Sequence, residues 1–235
     1  MLEVEDLAVS YGAVRAVRGV SLRAEPGRIT AILGANGSGK SSLIRAVMGL
    51  VAASGTVRLD GVDVSALSAE RRAHLGLGCV LEGRRLFRGL TVEENLEVAW
   101  RFGRRHAGFA AMRAAVFDRF PALAEKRSVA AGLLSGGQQQ MLIVSSATIR
   151  SPRWLMLDEP SLGLAPVIVQ QLFDFVVDLA RSRETTVLLT EQMASMALRI
   201  ADYGWVLRQG ALAVAGDRAL LASPEGSRRL AEAYL

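Results

Sequence analysis

Residues 28–41 read Arg-Ile-Thr-Ala-Ile-Leu-Gly-Ala-Asn-Gly-Ser-Gly-Lys-Ser, and no other stretch of the chain restricts its folding so sharply. Arg28–Leu33 is an apolar run of strand length, and Ser41–Leu50 carries apolar residues at helical spacing. Between them Gly34, Ala35, Asn36, Gly37, Ser38, Gly39, Lys40 and Ser41 fit the pattern GxxxxGK[ST]. Its glycines reach backbone conformations closed to other residues, so successive N–H groups can point inward at phosphate oxygens. A helix starting near Lys40 turns its positive dipole end towards the same anion. Lys40 then brings a full charge to terminal phosphates, the Ser41 hydroxyl is placed to ligate Mg²⁺, and Ser42 is a further phosphate donor. A chance glycine-rich turn would look similar in isolation, but the position between strand and helix argues against it.

Elsewhere, Leu2, Val4, Leu7 and Val9 alternate roughly, as in an exposed antiparallel strand. Thr56–Leu59 followed by Asp60-Gly61 predicts a strand and tight turn, and Leu77–Leu81 another strand. From Glu82 to Arg150 the texture turns helical. Helices are predicted over Val92–Trp100, Phe109–Phe120 and Gly137–Ile149, with Pro121 as punctuation. Afterwards strands at Trp154–Leu157, Thr186–Thr190 and Tyr203–Leu207 alternate with helices at Val167–Ala180 and Met193–Ile200, which favours a mostly parallel sheet. The expectation is one α/β domain over residues 1–235, with its core from 1–81 and 151–235 and a helical subdomain, 82–150, inserted.

A hydrophobic content of 51% with 22% charged residues suits a sizeable buried core and excludes wholesale disorder. The net charge of +5 would tolerate nucleic acid or an acidic membrane surface. Only Lys40 and Lys126 are lysines, however, and the arginines are scattered, so no nucleic-acid partner is expected. Cys79 is the only cysteine, which precludes an internal disulfide and fits a reducing compartment. Its neighbours Leu77 and Val80 make it an inert strand residue. Glu3, Glu5 and Asp6 interrupt the amino terminus, so no secretory signal is expected there. No apolar stretch is long enough to cross a bilayer, and any membrane role would work through a partner.

Trp154-Leu155-Met156-Leu157-Asp158-Glu159 is an apolar strand ending in two carboxylates. Adjacent strand residues point to opposite faces, so Asp158 and Glu159 should have different tasks. Asp158 is placed to orient a Mg²⁺ shell, and Glu159 to polarise water for attack on a γ-phosphate. A strand end with exposed acids is the plain alternative.

Leu134-Ser135-Gly136-Gly137-Gln138 resembles the signature segment of ABC ATPases. With the glycine loop and the paired acids in this order, the chain resembles the ATP-binding subunits of ABC transporters from Tyr11 to Ala233-Tyr234-Leu235. The resemblance implies a P-loop NTPase (RecA-like) α/β core with a mostly parallel sheet, an antiparallel β subdomain and an inserted helical subdomain. It further implies ATP and Mg²⁺ as cofactors and a head-to-tail pair of subunits sandwiching ATP. Ser135, Gly136, Gly137 and Gln138 would then complete the site of the opposite subunit, although the serine and glycines would also suit a plain helix cap. Tyr11 would stack on adenine, where the alternative is simple packing. Ser161–Pro166 resembles the loop linking the two sites.

Three stretches resemble one subgroup, the LivF-type subunit of branched-chain amino acid and related amide or urea importers. They are Glu82–Phe87 with Leu90–Asn95, Ser161–Pro166, and Glu191-Gln192. That likeness implies a second ATPase subunit, as heterodimer or homodimer, two membrane permeases and a solute-binding protein. It also implies a peripheral position on the cytoplasmic face of the inner or plasma membrane. Arg84, Arg85 and Phe87 are candidates for contacting a permease helix, or form an ordinary basic surface turn. Most relatives carry glutamine where Glu82 stands; it is either a metal-side ligand or a surface acid paired with Arg84 or Arg85. Most also have a histidine near the γ-phosphate where this reading puts Gln192, whose amide cannot carry a proton's charge. Such a site is expected to hydrolyse more slowly, leaving two unequal sites in a heterodimer. Ser146 stands where relatives often have arginine. A lipid exporter ATPase and a soluble, non-transport ABC ATPase are the competing functions; the soluble class usually carries two ATPase domains or coiled-coil insertions, neither of which is present.

Overall fold

In the computed structural model, which describes residues 1–83, 85–102, 108–183 and 185–234, the opening segment is β1 (Leu2–Tyr11). It is followed by β2 (Val14–Ala24), β3 (Ile29–Leu33), α1 (Lys40–Val47), β4 (Ser54–Leu59), β5 (Val62–Asp63) and α2 (Ala69–His74). β1 is not the exposed strand that its alternation suggested. It lies inside an antiparallel sheet of order β2-β1-β4-β5, and Leu2, Val4, Leu7 and Val9 are all buried. The step from Val4 to Leu7 is odd for one face of a strand. A shift in register there, with Asp6 at φ 48°, puts both side chains on the same side.

The second sheet is built from β3 with β6 (Leu77–Val80), β7 (Trp154–Asp158), β8 (Thr186–Glu191), β9 (Tyr203–Arg208) and β10 (Ala211–Asp217), in the order β10-β9-β3-β8-β7-β6. All neighbours run parallel except β9 and β10. Every residue of β3, β7 and β8 is buried, as expected for strands covered on both faces. Alternate residues serve two cores. Ile29, Ala31, Leu33, Leu155, Leu157, Val187 and Leu189 face the long helix over Pro166–Arg183, whereas Ile32, Met156 and Leu188 face α1 and the antiparallel sheet.

Between β6 and β7 run α3 (Val92–Arg101), α4 (Phe109–Arg119), α5 (Pro121–Ala124) and α6 (Gly136–Thr148). Thr91 starts α3 with a reciprocal capping box to Glu94. Val92, Leu96, Val116, Phe120, Leu123, Met141 and Leu142 make a third apolar cluster among these helices. α6 also contributes Ile143 and Val144 to the core beneath the large sheet, and so ties the helical unit to it. The chain then continues through α7 (Pro166–Arg183), α8 (Ala194–Ala197), α9 (Arg218–Ala222) and α10 (Pro224–Tyr234). Phe173 of α7 is a large side chain fully buried in the sheet-side core, worth about 1.5–3 kcal/mol by area alone.

The buried Arg72 guanidinium of α2 donates to the carbonyls of Ala46 and Val47, closing the C-terminal end of α1, and to those of Ser65 and Leu67. Cys79 is half-buried on β6, and burial pushes its thiol above the usual range, which disfavours the reactive thiolate. Among the described residues no helix is long and apolar enough to cross a membrane.

Candidate active site

The loop between β3 and α1 is forced into place by its neighbours. Gly34 has φ 149° and Gly39 φ 104°. A side chain on Gly34 would meet the Leu207 carbonyl oxygen at 2.4 Å, and one on Gly39 would meet that of Ala16 at 2.3 Å. Only glycine lets the loop lie so close to β9 and β2. Gly39 is the N-cap of α1 and supplies no side-chain acceptor, so the first-turn amides of this eight-residue helix are free for an anion. Ser38 is buried, and its hydroxyl has no partner among the described residues. Ala35 and Gly37 complete the turn, with Asn36 exposed at its tip.

Lys40 is buried, and its Nζ donates to the carbonyls of Gly34 at 2.9 Å and Ala35 at 3.2 Å. It also pairs with Glu159 Oε1 at 3.2 Å. Next to it, the Ser41 hydroxyl donates to Asp158 Oδ1 at 2.9 Å, and Thr190 donates to the same oxygen at 2.8 Å. Asp158 is 1% exposed, and its Oδ2 is buried without a partner among the described residues. A carboxylate with one unclaimed oxygen, beside a serine hydroxyl, is a donor set that suits a hard divalent cation. Ser42 follows on α1 and is half-buried.

Glu159 leaves β7 at φ 47°, unusual for a residue with a side chain, and its N–H is held by the carbonyl and hydroxyl of Thr190. That bend sends the carboxylate to Lys40 while Asp158 goes to Ser41. Adjacent acids thus acquire separate surroundings. Glu82 lines a cavity of about 530 Å³ together with Asp158, Glu159, Arg88, Gln139, Gln140, Leu162 and Gly163. This places Glu82 on the acid side of the site.

Gln192 is the first residue after the last strand position of β8. It is exposed just beyond β8, whereas the preceding residue, Glu191, is 3% exposed and accepts a hydrogen bond from Ser161 N–H at 3.2 Å. Successive residues at a strand end point in opposite directions, so Glu191 turns inward while Gln192 turns outward. Burial pushes the Glu191 carboxyl above its usual range, against the Ser161 hydrogen bonds that favour the anion; the nearby Glu159 pushes it up further. Thr190 and Glu191 were given no role from the sequence, although Glu191 belongs to one of the stretches that carry the subgroup resemblance. Their only signal was the polar ending of an apolar strand, the same signal that identified Asp158 and Glu159.

Tyr11 ends β1 with its ring 45% exposed, free to stack. Ser135 and Gln138 form a capping box at the start of α6: the Ser135 N–H donates to Gln138 Oε1 at 3.1 Å and the Gln138 N–H to Ser135 Oγ at 3.3 Å. Gly136 opens that helix, and a side chain on Gly137 would press on Ile168 at 3.1 Å, so α6 can sit tightly against α7. Among the described residues no hydrogen bond joins this segment to the phosphate loop. Arg85 and Phe87 line a groove of about 440 Å³ with His74, Leu75, Phe102, Ser146 and Arg150. Phe87 and Phe102 are 59% and 72% exposed. Arg84 lies outside the described residues.

Residues 17–162 match the family model described as ABC transporter. The chain is 39% identical to the high-affinity branched-chain amino acid transport ATP-binding protein BraG of Pseudomonas aeruginosa, over 100% of this chain and 99% of that protein. It is 36% identical to the probable branched-chain amino acid transport ATP-binding protein LivF of Archaeoglobus fulgidus, over 92% of each. Among solved structures it superposes on the ADP conformation of MJ1267, an ATP-binding cassette of an ABC transporter, with a TM-score of 0.81, 25% identity and 97% of each chain covered. A match that spans the glycine loop, the helical unit and the paired acids, together with full-length relatives, fixes the assignment: the chain belongs to the ABC transporter family, as one of its ATP-hydrolysing cassettes.

Proposed function

We propose that the chain is the motor subunit of an importer for branched-chain amino acids or related small amides, closing on ATP and reopening after hydrolysis. The cargo assignment is supported by the two relatives named above. The observation that carries the chemistry is the convergence of Lys40 and Ser41 from α1 with Asp158 and Glu159 from β7.

In this reading Gly34–Ser42 cradle the triphosphate with backbone amides, and Tyr11 stacks on the adenine. Lys40 exchanges Glu159 for phosphate oxygens, which leaves the Glu159 carboxylate free to orient a water and take its proton. Ser41 and Asp158 hold Mg²⁺, with Glu82 on the same side. When bound, the ion neutralises charge on the phosphate oxygens. Gln192, exposed at the end of β8, faces the γ-phosphate in this reading, and the buried Glu191 behind it orders the segment after β7 through Ser161.

Ser135, Gly136, Gly137 and Gln138 serve the site of a second ATPase subunit, where the open amides at the start of α6 face its γ-phosphate. Residues 1–235 act as one cassette whose helical part, 82–150, carries this signature. One of two permeases docks a helix in the groove lined by Arg85 and Phe87, and a solute-binding protein delivers cargo to the permease pair. The cassette thus sits peripherally on the cytoplasmic face of the membrane. The test is to purify the chain with its membrane subunits and measure ATP turnover with binding protein. Branched-chain amino acids should stimulate turnover several-fold. Stimulation by an unrelated cargo, or purification without membrane subunits, would overturn the reading.

A further inference from the structure

The last helix reaches into the phosphate loop. α10 buries Leu230 and Ala233 in the core beneath the large sheet, and Tyr234 packs against the same cluster. The Tyr234 hydroxyl accepts a hydrogen bond from Gly34 N–H at 3.1 Å. Gly34 is therefore tethered at both ends, because its carbonyl accepts from Lys40 Nζ at 2.9 Å. One tether comes from outside the loop, and the other is the cation assigned to the phosphates. The Glu191 carboxyl acts electrostatically on the same phenol, and it holds Ser161 N–H in the segment just after Glu159. The phosphate loop, α10, the end of β8 and the segment after β7 thus share one set of partly buried polar groups.

We propose that Tyr234 is a positioning residue for the phosphate loop, fixing the Gly34 peptide so that the loop and Lys40 present a preformed grip to a nucleoside triphosphate. Gly34 has no side chain to restrain it, and its N–H has an acceptor only through this hydroxyl among the described residues. Phenylalanine at 234 keeps the ring and its packing but removes the acceptor, leaving a buried donor unpaired. The Gly34 peptide then relaxes by rotation and carries the Lys40 tether with it. α10 becomes a means by which events outside the site could adjust nucleotide affinity. The proposal rests on the reading of Gly34–Ser42 as the ATP site.

The test is ATP binding and steady-state hydrolysis by the full chain and its Tyr234→Phe variant. Positioning acts on bound substrate and transition state alike, so KM and the dissociation constants for MgATP and ADP should rise roughly tenfold while kcat stays within about twofold. A merely structural role would lower the melting temperature and the active fraction without moving KM. Unchanged KM, or a fall in kcat alone, would overturn the proposal. Should Tyr234→Phe not fold, hydrogen exchange at the Gly34 amide of the unaltered chain decides: protection supports the tether, and exchange as fast as at exposed Gly37 refutes it. A Lys40→Ala control separates the two claims. Normal ATP binding by that control sinks the ATP-site reading, whereas lost binding there with unaltered Tyr234→Phe sinks only the tether.

Discussion

Replacing Glu159 with glutamine should make ATP bind more tightly and turn over more slowly, and both effects follow from one contact. Glu159 Oε1 lies 3.2 Å from Lys40 Nζ, and the two side chains are 11% and 3% exposed. At an effective dielectric constant of about 20, unit charges at that separation attract by about 5 kcal/mol. The amide keeps a hydrogen bond and avoids a desolvation cost, so the net loss in the nucleotide-free chain is about 2–3 kcal/mol. Phosphate oxygens no longer compete with a carboxylate for Lys40. Part of that loss therefore returns on binding, and a gain of about 1.5–2 kcal/mol corresponds to roughly ten- to thirtyfold higher affinity. Losing the group that takes the proton should slow hydrolysis by roughly 10²–10⁴-fold. Titration with a fluorescent ATP analogue, melting with and without MgATP, and single-turnover hydrolysis read the three quantities. Unchanged affinity together with near-normal turnover would remove Glu159 from the chemistry.

Other outcomes follow from particular contacts. Gly39→Ala must find room where the Ala16 oxygen lies 2.3 Å from the new carbon, at φ 104°, and should lose about 2–4 kcal/mol of stability in denaturant melts; a native melting curve would show that the loop is not so constrained. Burial alone would raise the Asp202 carboxyl, but Arg181, the Ile29 N–H and Arg28 outweigh it and hold it below its usual range. A depressed carboxyl stabilises the fold above its unfolded pKa and ceases to do so as pH falls through the folded one. Asp202→Asn should therefore cost stability near pH 7 and flatten the loss below about pH 4 in pH-dependent melts. Arg85→Glu combined with Phe87→Ala should reduce recovery of the chain with membrane subunits at least several-fold and leave ATP affinity unchanged; undiminished recovery would take the groove out of permease binding.

The phosphate loop was legible because three constraints coincide in one short segment: a buried strand, glycines that alone fit against the backbones of β2 and β9, and a helix start. β7 was legible for a similar reason, since a strand buried on both faces cannot avoid being apolar and must end where its polar residues begin. β2 was missed because Arg15, Arg18 and Arg23 interrupt its apolar residues, although Val17, Val20 and Leu22 are buried. Its strand character depends on pairing with β1, a partner the local pattern does not reveal. The burial of Glu191 was missed for the opposite reason. Glu191 is an acid that local reasoning assigns to the surface, and hydrogen bonds from Ser161 and the Gln192 backbone, with the packing around β8, make its burial possible. The helix expected over Met193–Ile200 shrinks to Ala194–Ala197, with turn hydrogen bonds carrying the chain on to Ala201.

The central claim is that Gly34–Ser42 grips ATP and that Lys40 supplies the charge. Equilibrium titration of the full chain with MgATP, compared with its Lys40→Ala variant, tests it most directly. One saturable site per chain, with affinity lost by at least roughly a hundredfold in the variant, is the predicted result. Equal affinity in the two proteins would contradict the account.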